Sequence, residues 1–120
     1  MKVSVNVPFL PPQDEYQKLV EGVWNRKWLT NNGPLVQELE ASLTDSLGLT
    51  HVSCLNNGTT AIQFALRALE LSGEIITTPF SYVATTSSLV YERCTPVFVD
   101  IDKDTLNIDP EKIEAAISPR

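Results

Sequence analysis

The stretch CLNNGTTAIQFAL, Cys54 to Leu66, decides how the middle of the chain folds. An apolar run stops at Asn56, and a helical pattern starts just after Gly58. One interpretation is an ordinary strand–helix turn with a threonine cap, because glycine and threonine are favoured there. The other is a phosphate-binding loop, because the first turn of a helix presents unpaired backbone N–H groups and the positive end of the helix dipole. The local pattern supports both interpretations equally.

Three residues of this stretch would serve a phosphate-binding loop. Gly58 allows the backbone to approach an anion closely, and Thr59 and Thr60 add hydroxyl donors. Neither the G-x-G-x-x-G pattern of dinucleotide-binding folds nor the G-x-x-x-x-G-K-[ST] pattern of P-loop proteins is present. The sequence therefore excludes those two classes of nucleotide site.

The composition is typical of one folded, acidic domain. Of 120 residues, 42% are hydrophobic and 20% are charged, which predicts a packed core rather than disorder. The formal net charge is −6, and Arg26 and Lys27 form the only adjacent basic pair. No basic patch is available for a nucleic-acid backbone or an anionic membrane surface, so we expect neither partner. No run approaches the roughly 18 apolar residues of a membrane-spanning helix.

Two cysteines, Cys54 and Cys94, lie in apolar surroundings. A disulfide framework needs more cysteines and a secreted context, so we expect both thiols to be reduced and buried. Residues 1–16 contain a short apolar run interrupted by prolines and lack the apolar segment of a signal peptide. These features predict a cytoplasmic protein.

Two amphipathic helices are predicted in the first part of the chain. The pattern of the first begins at Pro12, and its apolar face would consist of Tyr16, Leu19, Val20, Val23, Trp24 and Trp28. The second has Pro34 suited to its first turn and Gly48 to its end. Its apolar side would consist of Leu35, Val36, Leu39, Leu43 and Leu47.

From residue 51 the pattern alternates between strands and helices. Short apolar runs predict strands at 51–55, 74–78 and 95–101. Helical patterns cover 59–71, 81–93 and 109–117, the last with Asp109 as N-cap and Pro110 in its first turn. The alternation predicts an α/β fold of three layers, with a mainly parallel sheet and helices on both faces. A sheet this narrow, in a sequence that stops where another strand should begin, leads us to expect an N-terminal piece of a longer protein.

A second candidate for ligand contact follows the predicted strand at 74–78. Ligands of parallel sheets bind beyond the carboxyl ends of the strands, so Tyr82 could stack there on a planar ring. The alternative places Phe80 and Tyr82 in the core, and composition alone favours that alternative.

The segment before the second helix, WLTNNGPLVQELE from Trp28 to Glu40, offers further polar residues. Gly33 and Pro34 are explained by the start of a helix. Asn31 and Asn32 remain as polar contacts or as simple turn residues.

Metal and histidine chemistry have little support. Asp100-Ile101-Asp102 resembles the metal-binding Asp-x-Asp of nucleotide-sugar glycosyltransferases, but an acidic turn that leaves a strand explains it better. His51 is the only histidine, and no serine or cysteine is placed to form a catalytic dyad with it. No group of residues has zinc-ligand spacing.

Four segments together resemble one enzyme family. WLTNNGPLVQELE, NNGTTAIQFAL, TTPFSYVATTSSL and TPVFVDIDKDTLNIDPEKIEAAISPR occur in the order and spacing of the DegT/DnrJ/EryC/StrS sugar aminotransferases. The resemblance implies a pyridoxal phosphate (PLP) enzyme with the aspartate-aminotransferase type of fold, active as a homodimer. It also implies transfer of an amino group, usually from glutamate, to a nucleotide-linked keto-sugar such as dTDP-4-keto-6-deoxyglucose. Residues 1–120 would then be the N-terminal segment and part of the PLP-binding large domain, with no second domain.

The resemblance also implies roles for particular residues. The phosphate of PLP would be held by Asn57, Gly58, Thr59 and Thr60. Tyr82 matches the aromatic residue that stacks on the cofactor ring, with Ser81 and Thr85 beside it to reach the cofactor or the substrate. The loop from Thr30 to Pro34, including Asn31 and Asn32, matches a segment near the active site and the subunit interface.

One essential residue has no match in this chain. A PLP-dependent transaminase needs a lysine that bonds covalently to the cofactor, and in the family it lies downstream of this region. None of the five lysines matches it; they are Lys2, Lys18, Lys27, Lys103 and Lys112. We therefore expect the 120 residues alone to be inactive. Two alternatives stay open: a truncated, non-catalytic homologue that binds a partner, and a metal-dependent nucleotide-sugar binding domain built on Asp100 and Asp102.

Overall fold

Five helices and two strands follow one another along residues 5–119, the part of the chain that the computed structural model describes. The helices are α1 (Gln13–Arg26), α2 (Pro34–Leu47), α3 (Gly58–Ala68), α4 (Val83–Tyr91) and α5 (Pro110–Ala116). The strands are β1 (Glu74–Thr77) and β2 (Thr95–Phe98). The chain divides into two units, with the boundary between Cys54 and Leu55, and each unit is described separately below.

The first unit contains α1 and α2. Helix α1 follows Pro12 and ends where Lys27 adopts the left-handed conformation, with φ 53°. The helix stops before Trp28, so the prediction that Trp28 continues its apolar face is wrong. Helix α2 has Pro34 in its first turn and ends at Gly48, which has φ 64°, as predicted.

The apolar faces of these two helices are not buried within residues 5–54. Val20, Val23 and Leu35 are half-buried, whereas Trp24 is 72% exposed and Leu39 is 50% exposed. The amphipathic pattern is therefore present, but contacts within residues 5–54 do not bury the apolar faces of α1 and α2. Residues 6–12 form neither helix nor strand, and residues 1–4 lie outside the described residues.

The second unit is built on a parallel pair of strands. Strand β1 pairs with β2 in the register Ile75↔Pro96 and Ile76↔Val97, and α4 is the connection between them. A strand–helix–strand unit with parallel strands is the arrangement that the alternating pattern predicts, so the mixed α/β class is confirmed.

The third predicted strand is not formed. Residues 51–55 have no pairing partner among the described residues, whose sheet contains β1 and β2. The backbone N–H of Cys54 donates instead to the Glu40 carboxylate, at 2.8 Å. A strand exists only when a second backbone pairs with it, and an apolar run cannot supply that partner by itself.

The core of the second unit lies where α3 and α4 pack together and α4 packs on β2. Leu66, Leu89 and Cys94 are buried, and Ile62 and Ile75 pack against them. Cys94 is thus a free, buried thiol, as predicted. Cys54 is also free, but it is exposed, so the prediction of its burial is wrong.

After β2 the chain forms an acidic turn and a short final helix. Ile101 and Ile108 form an antiparallel bridge that closes the turn. The Asp109 carboxylate then accepts a hydrogen bond from the Glu111 N–H at 3.0 Å, which confirms Asp109 as the N-cap of α5. Within residues 5–119, no helix has both the length and the apolar character required to cross a bilayer.

Candidate functional site

The first turn of α3 is organised by Asn57. Its side-chain Oδ1 accepts hydrogen bonds from the Thr60 N–H at 2.9 Å and from the Thr60 hydroxyl at 3.1 Å. The Asn57 carbonyl accepts from the Ala61 N–H at 3.1 Å. The helix therefore does have an ordinary cap, but the capping residue is Asn57 and not a threonine.

The cap leaves two backbone donors available. No hydrogen bond is made by the N–H groups of Gly58 and Thr59 to any residue within 5–119. Such N–H groups at the start of a helix point outward along its axis, where the helix dipole also favours a negative charge. Their orientation and chemistry suit the oxygen atoms of a phosphate.

The space around Gly58 is compatible with a ligand. Apart from its chain neighbours and the backbone of its own helix, a Cβ atom placed on Gly58 would meet no heavy atom of residues 5–119 within 4 Å. The packing of residues 5–119 therefore does not require glycine here, and among these residues the backbone of the turn is open to a ligand. The residues present fit a phosphate such as that of PLP: two free N–H groups, an open approach and the Thr59 hydroxyl.

Tyr82 begins the neighbouring helix, α4, as its N-cap residue. Its side chain is 80% exposed and that of Phe80 is 59% exposed. The alternative that places these two rings in the core is therefore wrong for the described residues. The ring of Tyr82 is available to stack on a planar group.

Two hydroxyl groups lie beside Tyr82. The Ser81 and Thr85 side-chain oxygens are 3.0 Å apart and share a hydrogen bond, in which either can be the donor. The Thr85 N–H donates to the Tyr82 carbonyl at 3.0 Å, which closes the first turn of α4. The pair keeps free lone pairs, so it can accept a hydrogen bond from a ligand.

Contacts between α3 and α4 show the relative direction of the two helices. The Ser88 hydroxyl lies 3.4 Å from the Thr59 carbonyl, and the Arg67 guanidinium donates to the Glu92 carboxylate at 2.6 Å. The two helices therefore run in the same direction. Tyr82 precedes Ser88 by six residues, which corresponds to about 9 Å along a helix axis. Because α4 follows β1 and α3 runs in the same direction as α4, we infer that the first turns of both helices face the edge where β1 ends, the usual ligand edge of a parallel sheet.

The ion pair at the other end of these helices has a structural role. The carboxylate of Glu92 is almost buried, with 8% of its side chain exposed, whereas Arg67 is 68% exposed. The hydrogen bond to Glu92, with the charge of that carboxylate, raises the pKa of Arg67 above its ordinary value. The pair lies far from the first turn of α3 along the helix, so it does not belong to the candidate site.

The predicted substrate residues Thr30, Asn31 and Asn32 lie in the first unit. They line a cavity of about 360 Å³ together with Trp28, Arg26 and the start of α2. Asn32 has φ 55°, and its carbonyl accepts a hydrogen bond from the Gln37 side chain at 2.8 Å. These features support the interpretation of Asn32 as a turn residue, one of the two that the sequence left open.

The acidic turn after β2 uses its carboxylates internally. Asp102 accepts hydrogen bonds from the N–H groups of Thr105, at 2.8 Å, and Asp104, at 3.1 Å. These bonds, led by that from Thr105, lower the pKa of Asp102 below its usual range. Asp100 accepts from the Ile101 N–H at 2.8 Å. The interpretation of this segment as a turn is confirmed.

Other candidate groups are dispersed. The residues within 5–119 hold no cluster of three or more histidine, cysteine or acidic side chains suited to a metal ion. His51 is exposed rather than packed. Lys103 and Lys112 pair with the carboxylates of Asp104 and Asp109 at 2.9 and 3.0 Å.

The remaining described lysines, Lys18 and Lys27, belong to the first unit. Lys18 lies 3.8 Å from Asp14 on the surface of α1, and Lys27 ends that helix. Lys2 falls outside the described residues.

The sequence predictions do not include the roles of two residues in the second unit, Asn57 as a helix cap and Ser88 as a buried polar residue. The capping role of Asn57 could be predicted from the sequence, because asparagine is a favoured N-cap residue. Its side chain accepts a hydrogen bond from the backbone N–H three residues later, here that of Thr60. The burial of Ser88 carried no comparable signal, because it depends on how closely α3 approaches α4.

Comparison with known proteins gives a consistent result. A model of the DegT/DnrJ/EryC1/StrS aminotransferase family matches residues 12–120. The dTDP-4-amino-4,6-dideoxy-D-glucose transaminase of Escherichia coli is 50% identical over 118 residues, which is 98% of this chain and 32% of that protein. The GDP-perosamine synthase of Caulobacter vibrioides is 39% identical over 121 residues and is likewise matched over 32% of its length.

Solved structures agree with the sequence matches. The structure of DesI with its TDP-sugar product superposes with a TM-score of 0.85 at 35% identity, covering 91% of this chain and 28% of DesI. The PLP form of the sugar aminotransferase Spr1654 from Streptococcus pneumoniae gives a TM-score of 0.80 at 35% identity, covering 94% of this chain and 30% of Spr1654. The chain thus spans less than a third of the length of these relatives.

Proposed function

The chain belongs to the DegT/DnrJ/EryC1/StrS aminotransferase family, and we propose that it forms the N-terminal part of a PLP-dependent sugar aminotransferase. The proposed reaction moves an amino group, from glutamate, to a nucleotide-linked keto-sugar. The 50% identity to a dTDP-4-amino-4,6-dideoxy-D-glucose transaminase supports dTDP-4-keto-6-deoxyglucose as the acceptor. We further propose that the intact enzyme is a cytoplasmic homodimer and that residues 1–120 contribute the N-terminal segment and part of its large domain.

The first turn of α3 is the observation that carries this proposal. Free N–H groups on Gly58 and Thr59, with open space above Gly58, are what the phosphate of PLP requires. Asn57 keeps its carbonyl and its Oδ1 engaged within the turn, so its contribution to the cofactor is to hold the turn in shape. The Thr59 hydroxyl adds a further donor, whereas the Thr60 hydroxyl donates to Asn57.

Other residues of the chain would position the cofactor ring and the substrate. PLP, when bound, supplies the carbonyl group that carries the amino group and a ring that withdraws electron density from it. The exposed ring of Tyr82 would cover one face of the cofactor and exclude water from it. Ser81 and Thr85 would accept a hydrogen bond from the cofactor or the sugar. Thr30, Asn31 and Asn32 would contact the nucleotide-linked sugar.

The reaction needs a residue that this chain does not provide. A lysine must bond to the cofactor; of the described lysines, Lys18, Lys103 and Lys112 pair with nearby carboxylates and Lys27 caps the end of α1. We therefore propose that residues 1–120 alone are inactive and that the lysine belongs to the remainder of the intact enzyme.

The proposal is tested by cofactor binding in the full-length protein. We expect the purified protein to show the absorbance of bound PLP, and Gly58→Val to weaken PLP binding by about ten- to a hundredfold, because the valine blocks charge-assisted hydrogen bonds. The apoprotein of this variant should keep nearly the melting temperature of the wild type, since, apart from its chain neighbours, no side chain or distant backbone atom of residues 5–119 lies within 4 Å of the added Cβ.

A matched substitution controls for bulk added elsewhere. Ser87→Val places the same side chain on the exposed side of α4 and should leave PLP binding unchanged. Full PLP occupancy in Gly58→Val would show that the phosphate is bound elsewhere. Absence of PLP from the full-length wild type, even after incubation with the cofactor, would refute the proposed function itself.

A further inference from the structure

Ser88 is a buried polar residue in the helix pair that carries the candidate site. It is 0% exposed, and its hydroxyl donates to the Ala84 carbonyl at 2.7 Å, one turn earlier in α4. The same oxygen lies 3.4 Å from the Thr59 carbonyl of α3. A hydroxyl has one hydrogen, and the Ser88 hydroxyl donates it to the nearer acceptor, the Ala84 carbonyl. The contact with the Thr59 carbonyl is therefore mainly a packing contact.

The contact between Ser88 and Thr59 connects the two helices that carry the candidate site. Thr59 belongs to the first turn of α3 and provides one of the two free N–H groups. Ser88 belongs to the helix that Tyr82 begins. The Arg67–Glu92 pair joins the other ends of the two helices, and Ser88 contacts α3 at its N-terminal turn.

We propose that Ser88 is a positioning residue, whose small, fully buried side chain sets the spacing between the phosphate-binding turn of α3 and the helix that carries Tyr82. This inference rests on the proposed function, because the spacing matters for a ligand that contacts both helices. A phosphate held at Gly58 and Thr59 and a ring stacked on Tyr82 belong to one rigid molecule. A shift of one helix against the other therefore weakens one of the two contacts.

A larger side chain at this position has no free volume to enter. Protein interiors are close-packed, so additional methyl groups at a fully buried site displace the neighbouring backbone. The neighbour here is the Thr59 carbonyl, at 3.4 Å. Alanine, in contrast, keeps the volume small and removes the hydroxyl, so it should leave the spacing almost unchanged.

The test measures the dissociation constant of PLP for the full-length apoprotein, by absorbance titration at a temperature where every variant is folded. Ser88→Val should weaken PLP binding by about tenfold. The PLP dissociation constant of Ser88→Ala should stay within about threefold of the wild-type value, since the alanine side chain is no larger than that of serine. Ser87→Val, the same substitution on the exposed neighbour, should have no effect.

A destabilising control separates positioning from general loss of stability. Cys94 is buried in the core of the same unit but precedes β2, on the far side from the first turn of α3. Cys94→Ala should lower the melting temperature and leave the PLP dissociation constant unchanged. An effect of Ser88→Val on PLP binding that exceeds that of Cys94→Ala would support positioning.

Two outcomes would overturn the inference while leaving the proposed function intact. One is a Ser88→Val variant that binds PLP as tightly as the wild type; the other is a loss in Ser88→Ala as large as that in Ser88→Val. If Ser88→Val does not fold, Ser88→Thr, which adds a single methyl group, must show the same ordering against Ser88→Ala. A wild-type protein that fails to bind PLP would overturn both the proposed function and this inference.

Discussion

The two units of the chain contrast in how they use similar helices. In the unit that ends at Cys54, α1 and α2 are amphipathic, yet neither helix contains a buried residue. In the unit that begins at Leu55, α3 and α4 are shorter but bury Leu66, Ser88 and Leu89. An apolar stripe is therefore not sufficient for burial, because burial also requires a second surface to pack against.

The difference shows which part of the chain holds its structure by internal contacts. The second unit has a sheet, a core and an ion pair that join elements distant in sequence. The helices of the first unit depend mostly on local features, such as Pro34 at the start of α2 and Gly48 at its end. Substitutions in the second unit should consequently lower the free energy of unfolding of the chain, whereas substitutions in the first unit should change it little.

The largest expected effect tests this contrast directly. Leu89→Ala should lower the free energy of unfolding of the chain by about 2–4 kcal/mol, because it removes buried apolar surface and leaves a cavity. Leu89 is 4% exposed, whereas Leu39 on α2 is 50% exposed. The matched change Leu39→Ala should cost less than about 1 kcal/mol. Urea unfolding followed by circular dichroism measures both; equal losses would show that α2 is as well buried in solution as α4.

A smaller effect is expected at the cap of α3. Asn57→Ala removes the acceptor for the Thr60 N–H and hydroxyl, at 2.9 and 3.1 Å, and should cost about 1 kcal/mol. Asn56 is the adjacent asparagine, is exposed, and caps nothing, so Asn56→Ala should cost less than about 0.5 kcal/mol. Thermal unfolding of the two variants gives the comparison. Equal melting temperatures would mean that the cap does not stabilise the second unit.

Local signals in the sequence predicted much of this structure correctly. Pro34, Gly48 and Asp109 mark helix ends through their own backbone preferences or side chains, and the structure confirms all three. Strands β1 and β2 were predicted to within a few residues, since each is an apolar run bounded by turn residues. The end of α1 was missed because Lys27, not glycine, adopts the left-handed conformation there.

Features that depend on distant partners could not be predicted in the same way. Residues 51–55 have the composition of a strand, but pairing needs a second backbone that the described residues do not offer. The candidate site also combines residues that a local motif indicates with residues whose placement depends on distant contacts. Gly58 and Thr59 are candidates from a local motif, whereas the exposure of Tyr82 is the opposite of what composition favours. The burial of Ser88 depends on tertiary packing, including its contact with Thr59 of α3.

The smallest expected effect concerns the acidic turn of the second unit. The N–H groups of Thr105 and Asp104 lower the pKa of Asp102 below the value of about 3.9 for an unfolded aspartate. The carboxylate therefore stabilises the folded state above about pH 4, and this contribution is lost as the pH falls through the lowered pKa. Asp102→Asn should give a shallower fall in melting temperature on acidification from pH 6 than the wild type shows. Asp104→Asn, which removes only a contact with the exposed Lys103, should follow the wild type. Parallel profiles for Asp102→Asn and the wild type would place the acid sensitivity of the chain outside this turn.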